Sequence, residues 1–259
     1  MRTLRATLRL AFLLLVVALL YPAALGTRLL GLLGGARPAL RAAAGVQRAW
    51  ARITLWVLGV RVDTGTHWPD LRGGLLVCNH ISWLDIPVLA AHGPVRFVAK
   101  GEIARWPLFG WMSSSVGTLF LSRARLRDVV SMQSELASTI EAGVLPLVFP
   151  EGRATDGLAV QRFHAGLLEI APRGGWPCYA LGLRYGAPDA VVPSPLAWHD
   201  GTPLWTHLWR ALERPRHEVW LRASGPHAPR SRRELASELQ REVARLAGLP
   251  GGGQFQVED

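Results

Sequence analysis

The sequence predicts an α/β fold: a mixed, largely parallel sheet flanked by helices and preceded by an N-terminal membrane-associated helical segment. Three observations predict it. From about residue 72, short apolar runs alternate with helix-length segments, the rhythm of strand–helix–strand units. Polar clusters stand directly after three of those runs, where α/β sheets gather their active sites. Upstream of them, Leu10 to Thr27 carries no charge at all.

A chain of 259 residues holds one sizeable α/β domain and a short appendage. The boundaries read as membrane-anchoring helices over 1–60, a catalytic domain over 61–248 and a loose, glycine-rich tail over 249–259. Charged residues make up 19%, against roughly 25% in an ordinary soluble domain. The net charge of +10 is carried by arginine, because Lys100 is the only lysine. A basic balance points to nucleic acid or an anionic membrane surface. Nucleic acid is disfavoured, since the arginines are not interleaved with aromatics and Leu10 to Thr27 fits no such module. Cys78 and Cys178 sit far apart in apolar runs, without metal spacing or a disulfide framework. No metal site is expected.

Arg2, Arg5 and Arg9 precede the uncharged stretch and Arg28 closes it. Its length is at the short end of the ~17–25 residues that span a bilayer. A signal peptide, a single spanning helix and a non-spanning helix pair all remain open, although Tyr21-Pro22-Ala23 makes an indifferent cleavage site. Arg37, Arg41, Arg48 and Arg52 then fall within roughly 60° of one another on a helical wheel. Such a stripe suits an anionic lipid surface.

In the main domain, Leu75–Cys78 reads as a buried strand. Ser82 to Ala91 is helical, with Ser82 as a candidate cap. Val95–Ala99, Thr118–Leu121 and Leu145–Phe149 are strands, and Arg127 to Ala142 is an amphipathic helix stopped at Gly143. Ala165 to Ala171 is a short helix and Tyr179 to Arg184 a fifth strand. Helices over 202–212 and 230–246 enclose a last strand, Glu218 to Arg222.

The three clusters are Asn79-His80, Lys100-Gly101-Glu102 and Pro150-Glu151-Gly152-Arg153. A histidine with an aspartate five residues on does not stack on one helix face. The two converge if His80 sits in the turn and Asp85 in the first helical turn; Asp85 then holds one ring nitrogen and leaves the other as a base. A structural histidine at a helix start is the competing reading. No Gly-x-Ser-x-Gly nucleophile motif is present, so the pair suits direct deprotonation of a substrate hydroxyl. Arg153 is of a type that binds phosphate bidentately, with Glu151 beside it to orient it or to meet a glycerol hydroxyl.

Together these residues resemble the glycerolipid acyltransferase family typified by 1-acylglycerol-3-phosphate O-acyltransferase. Its Asn-His-x-x-x-x-Asp block looks like Asn79 through Asp85, including Ser82-Trp83 and Ile86-Pro87. Its second block resembles Phe97 to Glu102 through Trp106 to Gly110, followed by Gly117 to Phe120 and Arg123. The third resembles Val148 to Arg153 and the fourth Pro177 to Tyr185. Two departures stand out. Ala154 occupies the usual arginine position of the third block, so that Glu151 to Gly157 looks more like a bacterial branch that includes lyso-ornithine lipid acyltransferases. Ala180 replaces the central proline of the fourth block.

The resemblance implies transfer of a fatty acyl group from acyl-CoA or acyl-carrier protein, as co-substrate and without a further cofactor, to the free hydroxyl of a lysolipid. The first expectation for the acceptor is 1-acylglycerol-3-phosphate, and the alternative is lyso-ornithine lipid or another lysolipid. A catalytically inactive lipid-binding protein of the same fold is the third reading. His80 and Asp85 are the catalytic pair implied, with Asn79, Lys100, Glu102, Phe109, Gly110, Glu151, Gly152 and Arg153 as substrate-binding residues. The expected partners are membrane phospholipids. The expected location is a bacterial cytoplasmic (inner) membrane, with the site facing the cytoplasm.

Overall fold

The computed structural model describes residues 1–66, 69–106, 109–121, 126–186 and 194–251, and the side chains of Phe109, Met112, Leu121 and 126–131 lie outside that description. Arg123 and most of the glycine-rich tail fall outside it too.

Two long helices open the chain, α1 (Arg2–Gly34) and α2 (Ala36–Leu58), hinged at Gly35 (φ +89°). The strands are β1 (Val60–Asp63), β2 (Leu75–Cys78), β3 (Val95–Lys100), β4 (Leu119–Leu121), β5 (Leu145–Val148), β6 (Cys178–Tyr185) and β7 (His217–His227). They form one seven-stranded sheet in the order β1-β7-β6-β2-β5-β3-β4. Every neighbouring pair is parallel except β6 with β7. The carboxyl ends of β2, β5, β3 and β6 therefore lie along one edge of the sheet. The fold class expected from sequence is the one observed.

The remaining helices are α3 (Asp85–His92), α4 (Phe109–Ser115), α5 (Leu126–Glu141), α6 (Ala165–Leu168), α7 (Ile170–Gly174), α8 (Leu204–Glu213) and α9 (Arg232–Ala247). Side-chain alternation along the strands sorts them into two layers. Leu76 and Cys78 of β2 face a core shared with Ala51, Leu55 and Leu58 of α2, Val88 and Leu89 of α3 and Leu212 of α8. Leu75 and Val77 face the other core, with Leu136 of α5 and Leu235, Leu239 and Val243 of α9. Residues 51–58 are thus part of the main core.

The arginine stripe of α2 is largely exposed, as its spacing suggested, with Arg37, Arg41 and Arg52 at the surface, and three of its members also reach neighbouring helix ends. Arg41 Nε–H donates to Ala142 O (2.7 Å) and Arg48 Nε–H to Ala91 O (3.2 Å), while Arg37 pairs with Glu141. These carbonyls end α5 and α3, where a helix leaves acceptors unpaired and its dipole favours a cation. On α1, Arg9 caps the end of α8 through Leu212 O (3.0 Å) and Pro215 O (3.1 Å), and Arg5 does so through Glu213 O (3.0 Å). Arg28 donates to Ser114 O (2.7 Å) in α4. The outward face of α1 is left apolar, with Leu4, Leu8, Phe12, Leu15 and Leu19 exposed and Trp56 of α2 beside Phe12.

Candidate active site

His80 follows β2 and Asp85 opens α3, so the turn between them folds the pair together. His80 Nδ1 lies 2.6 Å from Asp85 Oδ2. The same oxygen accepts the N–H of Ile81 (2.7 Å) and of Ser82 (3.1 Å), which can only donate. The ring proton therefore sits on His80 Nδ1, and Nε2 is left as the proton acceptor. Asp85 is fully buried, whereas the His80 side chain keeps 22% exposure. Ser82 is not the cap of α3; Asp85 itself reaches back to the N–H groups of the turn. Pro87 falls within the first turn of α3, where a missing N–H costs nothing.

The turn is fastened on every side. Beyond the last β2–β6 pair, Cys78 with Leu181, the Asn79 side chain continues the ladder. Its Nδ2–H donates to Leu183 O and its Oδ1 accepts Leu183 N–H, both at 2.8 Å. His80 N–H donates to Glu151 Oε1 (2.7 Å), and His80 O accepts from Thr155 N–H (2.9 Å) and Thr155 Oγ1 (3.1 Å). Ile81 O accepts Trp198 N–H (2.9 Å). Trp83 Nε1–H donates to His207 Nδ1 (2.9 Å), and His207 Nε2 lies 3.1 Å from Ala197 O, so His207 is the neutral Nε2–H tautomer; burial lowers its pKa. Phe149 stacks on the His80 ring at 4.3 Å.

The carboxyl of Glu151 is buried and both of its oxygens are occupied, Oε2 by Gln161 N–H at 2.9 Å. It does not orient Arg153. Gly152 at φ +72° turns the chain so that Glu151 points in and Arg153 points out. Burial raises the Glu151 pKa to about 7, against the pull of the two backbone N–H groups. Burial likewise pushes the Cys78 thiol well up, with Asp85 and Glu151 adding to it, so Cys78 is no thiolate nucleophile.

The other expected residues divide. Lys100, Glu102 and Arg153 are exposed. Gly110 is buried where a Cβ would lie 2.3 Å from Ala104 O, so it serves the close packing of α4 on the 3₁₀ turn Gly101–Arg105. Phe109 begins α4, and its side chain lies outside the described part. Asn79 spends its amide on Leu183.

Sequence reasoning assigned no role to Tyr185. It closes β6 on the sheet edge that carries His80, and its hydroxyl donates to Asp85 Oδ1 at 2.6 Å. The strand-end argument that singled out the other clusters would have found it, had the fifth strand been carried one residue past Arg184.

A buried aspartate and a histidine of 22% exposure, with no partner on its Nε2 and no activated thiol or serine beside the pair among the described residues, have the geometry to take a proton from a hydroxyl. Comparison with known proteins gives that class a family. A family model described as Acyltransferase matches residues 59–184. A lyso-ornithine lipid O-acyltransferase of Pseudomonas aeruginosa is 36% identical over 178 residues, 67% of each chain. A 1-acyl-sn-glycerol-3-phosphate acyltransferase of Neisseria meningitidis is 35% identical over 163 residues, 62% of this chain and 63% of that one. The match thus spans about two thirds of the length of these relatives. The crystal structure of the 1-acyl-sn-glycerophosphate acyltransferase PlsC from Thermotoga maritima shares the fold, with a TM-score of 0.61 at 23% identity over 95% of both chains. The chain belongs to the acyltransferase family.

Proposed function

We propose that this acyltransferase moves a fatty acyl group from a thioester donor, acyl-CoA or acyl-carrier protein, to the hydroxyl of a lysolipid, with 1-acylglycerol-3-phosphate as acceptor and phosphatidate as product. The observation that carries the reading is the His80 Nδ1–Asp85 Oδ2 contact of 2.6 Å, with no partner on Nε2 among the described residues. His80 Nε2 takes the hydroxyl proton as the oxygen attacks the thioester carbonyl. The tetrahedral adduct collapses, the C–S bond breaks, and the imidazolium returns the proton to the departing thiolate. Asp85 holds the ring and offsets its transient charge, and general-base help of this kind contributes about 10²–10⁴ in rate. The fastenings of the 79–85 turn keep the base in place before substrate arrives.

A second acceptor, lyso-ornithine lipid, is favoured by a separate observation. Ala154 follows Arg153, and a relative named for that acceptor is as similar as one named for the phosphate ester.

The reading extends to a non-spanning seat on the cytoplasmic face of a bacterial inner membrane. Arg5, Arg9 and Arg28 tie both ends of the uncharged stretch of α1 to the same folded body. The helix from Arg5 to Arg28 covers about 35 Å, so a crossing would pull one end away from its carbonyls. A helix lying in one leaflet, with Leu4, Leu8, Phe12, Leu15 and Leu19 in lipid, keeps all of these bonds.

The test is acylation of a panel of lysolipids by the purified full chain with labelled acyl-CoA and acyl-carrier protein. Phosphatidate formed from 1-acylglycerol-3-phosphate supports the first reading, and turnover confined to lyso-ornithine lipid replaces it with the second. No acylation of any lysolipid refutes both.

A further inference from the structure

We propose that Tyr185 is a positioning residue of the transfer reaction: its hydroxyl fixes the rotamer of Asp85 and sets how tightly the Asp85–His80 pair holds a proton. The inference rests on His80 acting as the base.

The two oxygens of Asp85 are served unequally. Oδ2 has three donors, all from its own turn: His80 Nδ1, Ile81 N–H and Ser82 N–H. Oδ1 has Tyr185, at 2.6 Å, delivered from β6 next door. The carboxylate has no exposure to water, so without that hydroxyl Oδ1 is a buried anionic oxygen lacking a donor. The plane of a carboxylate turns easily about its last torsion. A donor on each oxygen holds that plane and aims Oδ2 at the imidazole.

Tyr185 is suited to this because it is buried on a central strand and can donate without bringing charge. Burial, and Asp85 itself, raise its pKa well above the ordinary value, so the phenol keeps its proton throughout the working range. Among the described residues, the titratable groups facing the pair are few. Cys78 of β2 is held as a thiol. Glu151, after β5, has both oxygens on backbone N–H groups. His207 of α8 is engaged with Trp83 and Ala197. Arg184 points to the other face of β6, where it meets Gly248 O. Tyr185 is thus the group from outside the turn whose bond reaches the carboxylate, and it ties the fourth sequence block to the first.

The sign of its effect follows from what it stabilises. A bond to the charged carboxylate lowers the proton affinity of the pair; removing it raises that affinity and makes the free base harder to obtain. For full-length Tyr185→Phe in lipid vesicles, kcat falls about tenfold while the acceptor KM stays within about twofold. The acidic limb of kcat/KM against pH moves up by about one pH unit. Replacing Tyr185 by 3-fluorotyrosine, a stronger donor of the same shape, moves that limb the other way. A packing role would give neither the shift nor its reversal. An unchanged profile in Tyr185→Phe, or the same direction of shift in both proteins, overturns the proposal. Should Tyr185→Phe not fold, the fluorinated protein decides alone: an unmoved limb overturns it. Activity retained by His80→Ala would instead remove the base itself, so the two failures are distinguishable.

Discussion

Asn79→Ala tests how the catalytic turn is held. The side chain is 2% exposed and makes two bonds of 2.8 Å to one backbone residue, Leu183. Alanine removes both and strands the Leu183 N–H and C=O where water does not reach. Two net bonds at about 1 kcal/mol each, plus part of the desolvation cost of the stranded groups, give a loss of roughly 3 kcal/mol. For a chain of this size that lowers Tm by roughly 6–12 °C. Since the ladder extended by Asn79 places His80, kcat of the folded fraction falls as well, while the acceptor KM stays unchanged. The assay is thermal unfolding of the two proteins in the same lipid or detergent, with steady-state kinetics below the lower Tm. An unaltered Tm together with a raised acceptor KM would refute the reasoning and return Asn79 to the substrate.

Glu151 makes stability depend on pH. Its carboxyl holds a proton more tightly folded, at about 7 against the ordinary 4.5. Its contribution is therefore complete below about pH 4.5 and is lost as pH rises through about 7, a change of roughly 3 kcal/mol. Denaturant titrations at pH 5 and pH 8 should show that loss in the wild type and its absence in Glu151→Gln; equal slopes would contradict it. Arg9→Met uncaps α8 and should lower Tm by several degrees and speed proteolysis near Gly59, against which Arg9 packs; an unchanged protein would show the clasp to be idle. Arg153→Ala leaves Tm unchanged, because the guanidinium is exposed, and raises KM only for a phosphate-bearing acceptor. An equal KM for all acceptors would take Arg153 out of the site.

Much of this site was legible before any coordinates. Apolar runs of four to six residues marked β2, β3 and β5, and their ends marked His80, Lys100 and Glu151. The Asn79–Asp85 run follows β2, and its expected convergence of His80 on Asp85 is the one observed. What stayed hidden depends on contacts distant in sequence. β1 is four residues long and alternates in burial, and its partner β7 lies more than 150 residues on, so nothing local announces it. A helical wheel gave the stripe of Arg37, Arg41, Arg48 and Arg52 but not its protein partners: Arg41 and Arg48 reach carbonyls at the ends of α5 and α3, and Arg37 reaches the Glu141 carboxylate. Glu151 and Asn79 were polar and stood in the right blocks, yet both are spent on backbone groups, a use that composition cannot separate from substrate binding. Tyr185 was within the fourth block, and only the sheet order, which sets β6 beside β2, brings it to Asp85.

The central claim is that His80 is the base for acyl transfer. The most direct measurement is single-turnover formation of acylated lipid by His80→Ala, reconstituted in vesicles with labelled donor and the acceptor used by the wild type. Folding is checked by an unchanged thermal transition. The account predicts a rate lower by at least about 10²–10⁴, with donor and acceptor still bound. A folded His80→Ala protein that forms product at the wild-type rate would contradict it.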